Sequence, residues 1–407
     1  MSSLFCKKLD KWGQLNKNGF IWDAYLEPLF SIVALSITQQ PNEYAPAYND
    51  TNFVITESSG GIYTKDNFKF IAEVKQSTTS LAKLKAPIYY GSTNKGVFNI
   101  GRILENYVTY DWNYNDSAAS GCTNSIMDYK IEFGYEYSAS ATGSVTEYTN
   151  LTSATGSVWN AALNPIDLVN YAGQYTMDGN GLFLTPIRSK TIHRTQKDWL
   201  YAIRNTATTA LVTYSDASTQ TINLPSTKVV RIPSGSQLTI PGAATYYDIQ
   251  LKLGGTVLSE TYRVNLIEEC SKYDTTDLFF LNSLGGFDSF RFNMVRRDNY
   301  DIQRKQFKSN PYTLGATYGY TTSAFKQKTY DTNMTHKVKM FSNWITEEQS
   351  EWLLDLFTSP VVYAYDGTLV AVNIDATTYE VKKHIQDNAF FIELDLSYSF
   401  ESKRQRQ

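Results

Sequence analysis

Apolar and polar residues alternate along most of this chain with a period of two, which predicts strands that have one buried and one wet face. The best-specified run is 390–400. There Phe390, Ile392, Leu394, Leu396, Tyr398 and Phe400 fall on one face, and Glu393, Asp395, Ser397 and Ser399 lie between them, with Phe391 the exception. Just upstream the spacing turns helical over 346–357. Thr346 and Gln349 form a Thr-x-x-Gln capping box, Trp352, Leu353, Leu356 and Phe357 make the apolar stripe, and Pro360 stops the helix. Strands are expected at 361–365, 368–374 and 377–383, with a hairpin at Asp366-Gly367 and a turn at Asp387-Asn388. The closing module therefore reads as an antiparallel sheet or barrel buttressed by one helix.

The same period recurs earlier. Strands are predicted at 31–38, at 67–74 with Phe68, Phe70, Ala72 and Val74 on one face, and at 81–90, where Pro87 confines the strand to an edge or end. Asn99 is a good N-cap for a short helix carrying Ile100, Ile103, Leu104, Tyr107 and Val108. A further strand places Tyr129, Ile131, Phe133, Tyr135 and Tyr137 together and leads into a Ser/Thr/Gly-rich insert, 138–157, expected to be an exposed loop or a protruding hairpin. Between 197 and 294 strands are predicted at 199–204, 210–214, 220–224, 228–232, 247–253 and 261–267. Their spacing suits a β-sandwich. An aromatic hairpin follows around Gly285-Gly286. The stretch with Arg296, Arg297, Arg304, Lys305 and Lys308 reads as a solvated linker or subunit contact.

The fold class expected is thus mostly β and multidomain. The chain divides into an N-terminal arm (1–24), a small β domain closed by a short helix (25–113), a strand, polar insert and connector (114–196), a β-sandwich-like domain (197–294) and a tube-like helix-plus-sheet module (295–407). No internal period marks a repeat. The 30 Tyr and 21 Phe suit half-buried pleated surfaces.

The 37 Lys and Arg nearly balance the 40 Asp and Glu, so no whole-chain field attracts nucleic acid or an anionic membrane. The start lacks the apolar core of a signal peptide, and the run 26–37 is broken by Glu27, Pro28 and Ser31, which predicts a soluble product made in a cytoplasm and used without export by the general secretory route.

Candidate chemistry is sparse. Cys6, Cys122 and Cys270 are far apart and odd in number, which argues against a disulfide framework or a zinc site. His193, His336 and His384 are isolated from other ligand types. Gly91 to Gly96 lacks the Gly-Lys-Ser/Thr ending of a phosphate loop and reads as a hairpin tip. Asp178-Gly179-Asn180-Gly181 opens like a calcium loop, but Leu182 and Ser189 stand where ligands belong. Glu347 and Glu348 sit in the first turn of a helix, where its dipole favours negative charge. No catalytic residue, cofactor site or metal site is assigned.

Four ordered pieces carry a resemblance. They are Gly96-Val97-Phe98-Asn99-Ile100-x-Arg102-Ile103-Leu104; Phe280-Leu281-Asn282-x-Leu284-Gly285-Gly286-Phe287-Asp288-Ser289-Phe290; Trp344-Ile345-Thr346-x-Glu348-x-x-x-Trp352-Leu353 with Thr358-Ser359-Pro360; and Val372-Asn373-Ile374 with Tyr379-Glu380-x-Lys382-Lys383. Together they resemble a family of virion proteins encoded in the tail modules of Bacteroidetes phages, including crAss-like phages. The N-terminal arm and the insert at 138–157 lie outside it. The resemblance implies a non-enzymatic tail hub or ring component, a homo-oligomer located in the virion. It would bind other tail proteins around the conduit for genomic DNA, without sequence-specific nucleic-acid binding and without a membrane. Asp366, Gly367, Arg296 and Arg297 are the candidate subunit contacts. The alternative is a receptor- or carbohydrate-binding tail adhesin, since exposed aromatics can stack on sugars.

Overall fold

A computed structural model of the protein describes residues 35–59, 61–168, 173–268, 272–313, 319–320, 322–376, 378–380 and 390–405. The chain is mostly β and builds several sheets. The N-terminal arm, Cys6, Cys270, His384, the Asp387-Asn388 turn and most of the strand expected at 377–383 lie outside the described residues.

The first unit is a sandwich. Its larger sheet has the order Tyr44–Pro46, Val145–Trp159, Ile126–Ser138, Asp66–Gln76, Thr79–Ala86, and its smaller one the order Leu35–Gln39, Asn52–Glu57, Lys95–Asn99. Their inner faces meet through Phe53 and Phe98, which pack on Phe133 with ring centroids 5.5 and 6.0 Å apart. The insert at 138–157 takes the hairpin alternative: Val145–Trp159 pairs antiparallel with Ile126–Ser138 along its length. Its Ser/Thr composition reflects an exposed face, not an unstructured loop. Because Ile126–Ser138 pairs with Asp66–Gln76, this sheet crosses the boundary expected at 113. The helix forms over Gly101–Leu104 and continues as a tighter turn, Glu105–Tyr107. Asn99 Oδ1 accepts from the Gly101 and Thr51 amides at 3.0 and 3.2 Å.

The second unit is also a sandwich. One sheet orders Ser189–His193, Tyr262–Ile267, Tyr246–Leu253, Thr209–Tyr214 and Thr219–Asn223; the opposing one orders Lys197–Ile203, Val229–Gly235 and Ser120–Gly121. Leu200, Ala202, Val230 and Ile232 face Val212, Tyr247 and Ile249 in one core. The other face of Lys197–Ile203 is not wet. Trp199, Tyr201 and Ile203 enter a second core with Trp159, Phe279 and Phe287. A strand buried on both faces reads as a continuous apolar run, as this one does.

The third unit is a seven-stranded sheet in the order Phe287–Phe292, Thr276–Leu281, Val362–Tyr365, Leu369–Ile374, Glu393–Lys403, Gln327–Phe341, Arg296–Lys308. The aromatic hairpin, expected within the 197–294 sandwich, instead opens this sheet, where Thr276–Leu281 pairs with Val362–Tyr365. The capping box is formed: Thr346 Oγ1 accepts from the Gln349 amide at 3.3 Å, and Gln349 Oε1 accepts from the Thr346 amide at 3.0 Å. The expected single helix is two short ones, Glu347–Trp352 and Leu354–Thr358. They lay Trp352, Leu353 and Leu356 over Leu278, Phe280 and Leu394. Alternation in the last strand buries Leu394 and Leu396 but leaves Phe400 exposed.

Candidate assembly surface

Arg296 sits where the third sheet's outermost strand begins. Its Nη1 donates to Asp366 Oδ2 at 2.6 Å and to Thr276 Oγ1 at 3.3 Å. Its Nη2 donates to Tyr398 Oη and Asp298 Oδ1, each at 3.0 Å, and its Nε reaches the same Asp298 oxygen at 3.2 Å. Burial works against this guanidinium's charge, but Asp366 and Asp298 outweigh it, so its pKa lies above the ordinary value. Asp298 Oδ1 also contacts His336 Nε2 at 2.8 Å, and the His336 ring stacks on Tyr300 with centroids 4.6 Å apart. Burial of Asp298 is likewise outweighed, here by Arg296 and His336, and its carboxyl is held below the usual range.

Arg296, Asp366 and Gly367 line one open cavity of about 650 Å³ together with Asp274, Asp277 and Arg291. Arg291 and Asp277 form a bidentate pair at 2.6 and 2.8 Å within it. Gly367 adopts φ +112 at the tip of the hairpin, a conformation that L side chains rarely adopt. The cavity wall thus brings together three of the four residues singled out in the sequence.

Arg297, the fourth, points to the opposite face, as the next residue of a strand must. Its guanidinium lies 5.9 Å from the Phe341 ring centroid. With Met294, Val295, Trp344 and Phe391 it borders an apolar groove of about 420 Å³. Trp344 is 68% exposed there, with its ring edge-on to Phe391.

The basic stretch expected to be a linker or contact is a strand. Arg296–Lys308 pairs antiparallel with Gln327–Phe341 throughout, and among the described residues no strand pairs with its other side, so it stands at one edge of the sheet. Tyr300, Ile302 and Phe307 are each about half exposed on it. Its charges partly pair locally, Lys305 with Asp331 at 3.1 Å and Lys337 with Asp301 at 3.7 Å.

Elsewhere the sequence motifs have structural settings. Glu347 and Glu348 occupy the first helical turn. Gly179 and Gly181 lie in a turn whose amides donate to Leu258 O, both at 3.1 Å. Burial, aided by Asp111, pushes the Cys122 thiol pKa well up. Among the described residues no three His, Cys, Asp or Glu side chains cluster as a metal site.

One cluster is not among the candidate chemistry, although Asn282, Asp288, Ser289 and Trp352 stand in the pieces that carry the resemblance. Lys190, on Ser189–His193, lies with Nζ 2.8 Å from Asp198 Oδ1 and 2.9 Å from Asp288 Oδ1, and all three residues are buried. Asp288 Oδ2 accepts from Trp352 Nε1, Asn282 Nδ2 and Thr185 Oγ1 at 2.9, 3.0 and 3.1 Å. Asp198 Oδ1 accepts from Ser289 Oγ at 2.7 Å, whereas its Oδ2 has no partner among the described residues. Burial raises the Asp198 carboxyl pKa. For Lys190, burial opposes the charge, but the two carboxylates more than offset it and raise the ammonium pKa. Charged residues on strands ordinarily read as outward-facing, which is why the sequence conceals the cluster.

No family model and no curated protein matches the chain. Among solved structures it is similar to extracellular domains 3–5 of Drosophila OTK, with 8% identity over 74% of this chain and 92% of that one at a TM-score of 0.20. It is similar to a complex of Dpr2 Ig1–Ig2 with DIP-Theta Ig1–Ig3, with 9% identity over 89% of each chain at a TM-score of 0.18. A 1.5-MDa bacterial ice-binding adhesin gives 8% identity over 75% of this chain and 92% of that one, also at 0.18. Scores this low carry no weight for function.

Proposed function

We propose that this chain is a non-enzymatic structural subunit of a phage tail, a hub or ring component of the virion that needs no cofactor. The observation that carries this reading is the exposed strand Arg296–Lys308, which ends the seven-stranded sheet and is paired on one side only among the described residues. An unpaired edge is a template on which another strand can add, and proteins ordinarily cover or shorten it. We assign a second copy of the chain as its occupant, joined head to tail around a ring. The Arg296–Asp366 corner and Gly367 stand at the base of that edge, and Arg297 borders the apolar groove behind it.

The tail resemblance supports the same reading, because its residues form the framework. Phe98, Ile100, Leu104, Phe280, Leu284, Phe287, Trp352 and Leu353 are all buried. Neighbouring tail proteins would dock on the wet faces, with genomic DNA passing nearby and read by none of these residues. Synthesis is assigned to the host cytoplasm, and no membrane is involved.

The exposed Trp344 and Phe391 give the adhesin reading its one specific foothold, since such rings stack on sugars. Electron microscopy decides between them. Intact virions should show a ring of density at the tail into which this fold fits; virions without such density overturn the assignment. Glycan binding by the isolated chain, lost in Trp344→Ala, would favour the adhesin.

A further inference from the structure

We propose that Lys190 and Asp198 react within the folded chain to form an isopeptide bond, Nζ to Cγ, with Asp288 as the base. The reactants are held together: Nζ lies 2.8 Å from one Asp198 oxygen, and both side chains are buried. The two carboxylates are not equivalent. Asp288 is fixed as the proton acceptor by three donors on its Oδ2 and by Lys190 on its Oδ1. Asp198 has one buried oxygen with no partner among the described residues, which suits a neutral carboxyl whose hydroxyl departs. The Trp352 ring, 5.2 Å from Nζ at its centroid, closes the site on another side.

The chemistry balances without any further reactant. Asp288 Oδ1 takes a proton from the Lys190 ammonium across 2.9 Å, which frees the nitrogen lone pair. Nζ attacks Cγ of the neutral Asp198 carboxyl, a C–N bond forms, and the carbonyl electron pair moves onto oxygen. Asp288 gives its proton to the hydroxyl, which leaves as water as the carbonyl re-forms. The protonated amide then loses its extra proton to Asp288, which ends neutral. One amide, one water and the neutral Asp288 carboxylic acid replace one ammonium, one carboxylic acid and one carboxylate, with no oxidation. The product also removes a buried ionic cluster whose desolvation opposes folding. It ties Ser189–His193, at the edge of one sheet, to Lys197–Ile203 in the opposing sheet.

Mass spectrometry of the full chain under denaturing conditions tests this directly. The folded protein, held for days before denaturation, should be lighter by one water than its sequence mass, and digestion should release a branched peptide joining Lys190 to Asp198. Lys190→Met should keep its full sequence mass. Asp198→Asn should reach the same bonded mass as the parent, by releasing ammonia instead of water. Asp288→Asn should form the bond about a hundredfold more slowly, the usual scale for losing a general base. A parent chain at full sequence mass overturns the bond, and that measurement needs no variant. A branch ending at Asp288 overturns the roles given to the two carboxylates.

Discussion

Trp112 stacks on Tyr363 with ring centroids 4.8 Å apart and planes inclined by 20°. The contact joins the segment that leaves the first sandwich to a strand in the middle of the seven-stranded sheet. The same indole lies 5.0 Å from Phe287 and edge-on to Trp199 at 5.9 Å, so residues of the second and third units both pack on it. Trp112→Ala should cost about 3 kcal/mol, as expected for removing a large packed aromatic. It should also split thermal unfolding, followed by calorimetry, into separate transitions, whereas Trp112→Phe should keep the parent profile.

Gly285 occupies the hairpin turn at φ +84, and a Cβ there would lie 1.9 Å from Asn160 O. Gly285→Ala therefore combines a disfavoured backbone conformation with a clash against backbone that cannot yield locally. A loss of more than about 2 kcal/mol should appear in urea unfolding, where backbone strain alone is worth about 1–3. Gly255→Ala is the control, because a Cβ at that position would meet nothing within 4 Å.

The capping box is a smaller and cleaner test. Thr346 is exposed, so its replacement removes a cap without opening a cavity. Thr346→Ala should destabilise the protein by about 1 kcal/mol, and Thr346→Ser should restore most of it.

Acid should weaken the first sandwich through its outer ladder of ion pairs. Glu147 accepts from Lys83 and from Lys85, the latter at 2.7 Å, and these hydrogen bonds hold its carboxyl at about 2. A carboxyl whose folded pKa lies below its unfolded one stabilises the fold above the unfolded value and loses that contribution as pH falls toward the folded one. The window therefore runs from the ordinary 4.5 down to about 2. Glu147→Gln should flatten the fall in melting temperature across that window and lower the melting temperature at neutral pH by the same amount, small because the pair is solvent-screened.

The assembly reading makes its own demand on the open edge. Ile302→Lys with Phe307→Lys changes two half-exposed side chains that support no core. Ring formation, followed by mass photometry across a concentration series, should be lost, while the melting temperature of the single chain stays within a degree or two of the parent, as surface changes usually allow. Persistence of rings in this variant would remove the edge from the interface.

Strands in 197–267 are readable because most alternate between one sheet core and solvent, and the structure places their ends within a residue or two of expectation except at Val229–Gly235, which runs three residues further. Ser189–His193 escapes a sequence reading because its inward position is held by Lys190, which breaks the alternation that marks a strand. Arg296–Lys308 reads as a linker because both its faces are wet, which leaves no period to detect. Sheet membership is the other blind spot. Thr276–Leu281 looks like its neighbours in sequence, yet its partner is Val362–Tyr365, about eighty residues on, and local pattern carries no record of so distant a pairing. Of the candidate contacts, the convergence of Arg296 on Asp366 follows from that long-range closure, and the divergence of Arg297 follows from strand geometry alone.

The two-sided burial of Lys197–Ile203 makes that strand a party wall, shared by the second sandwich and the aromatic joint beyond it. Small polar interfaces let neighbouring units rock, whereas a large apolar one welds them. A load applied at the Arg296–Lys308 edge is therefore passed through Thr276–Leu281 and Trp199 to Trp159 of the first sandwich, and the three units answer it as one stiff strut.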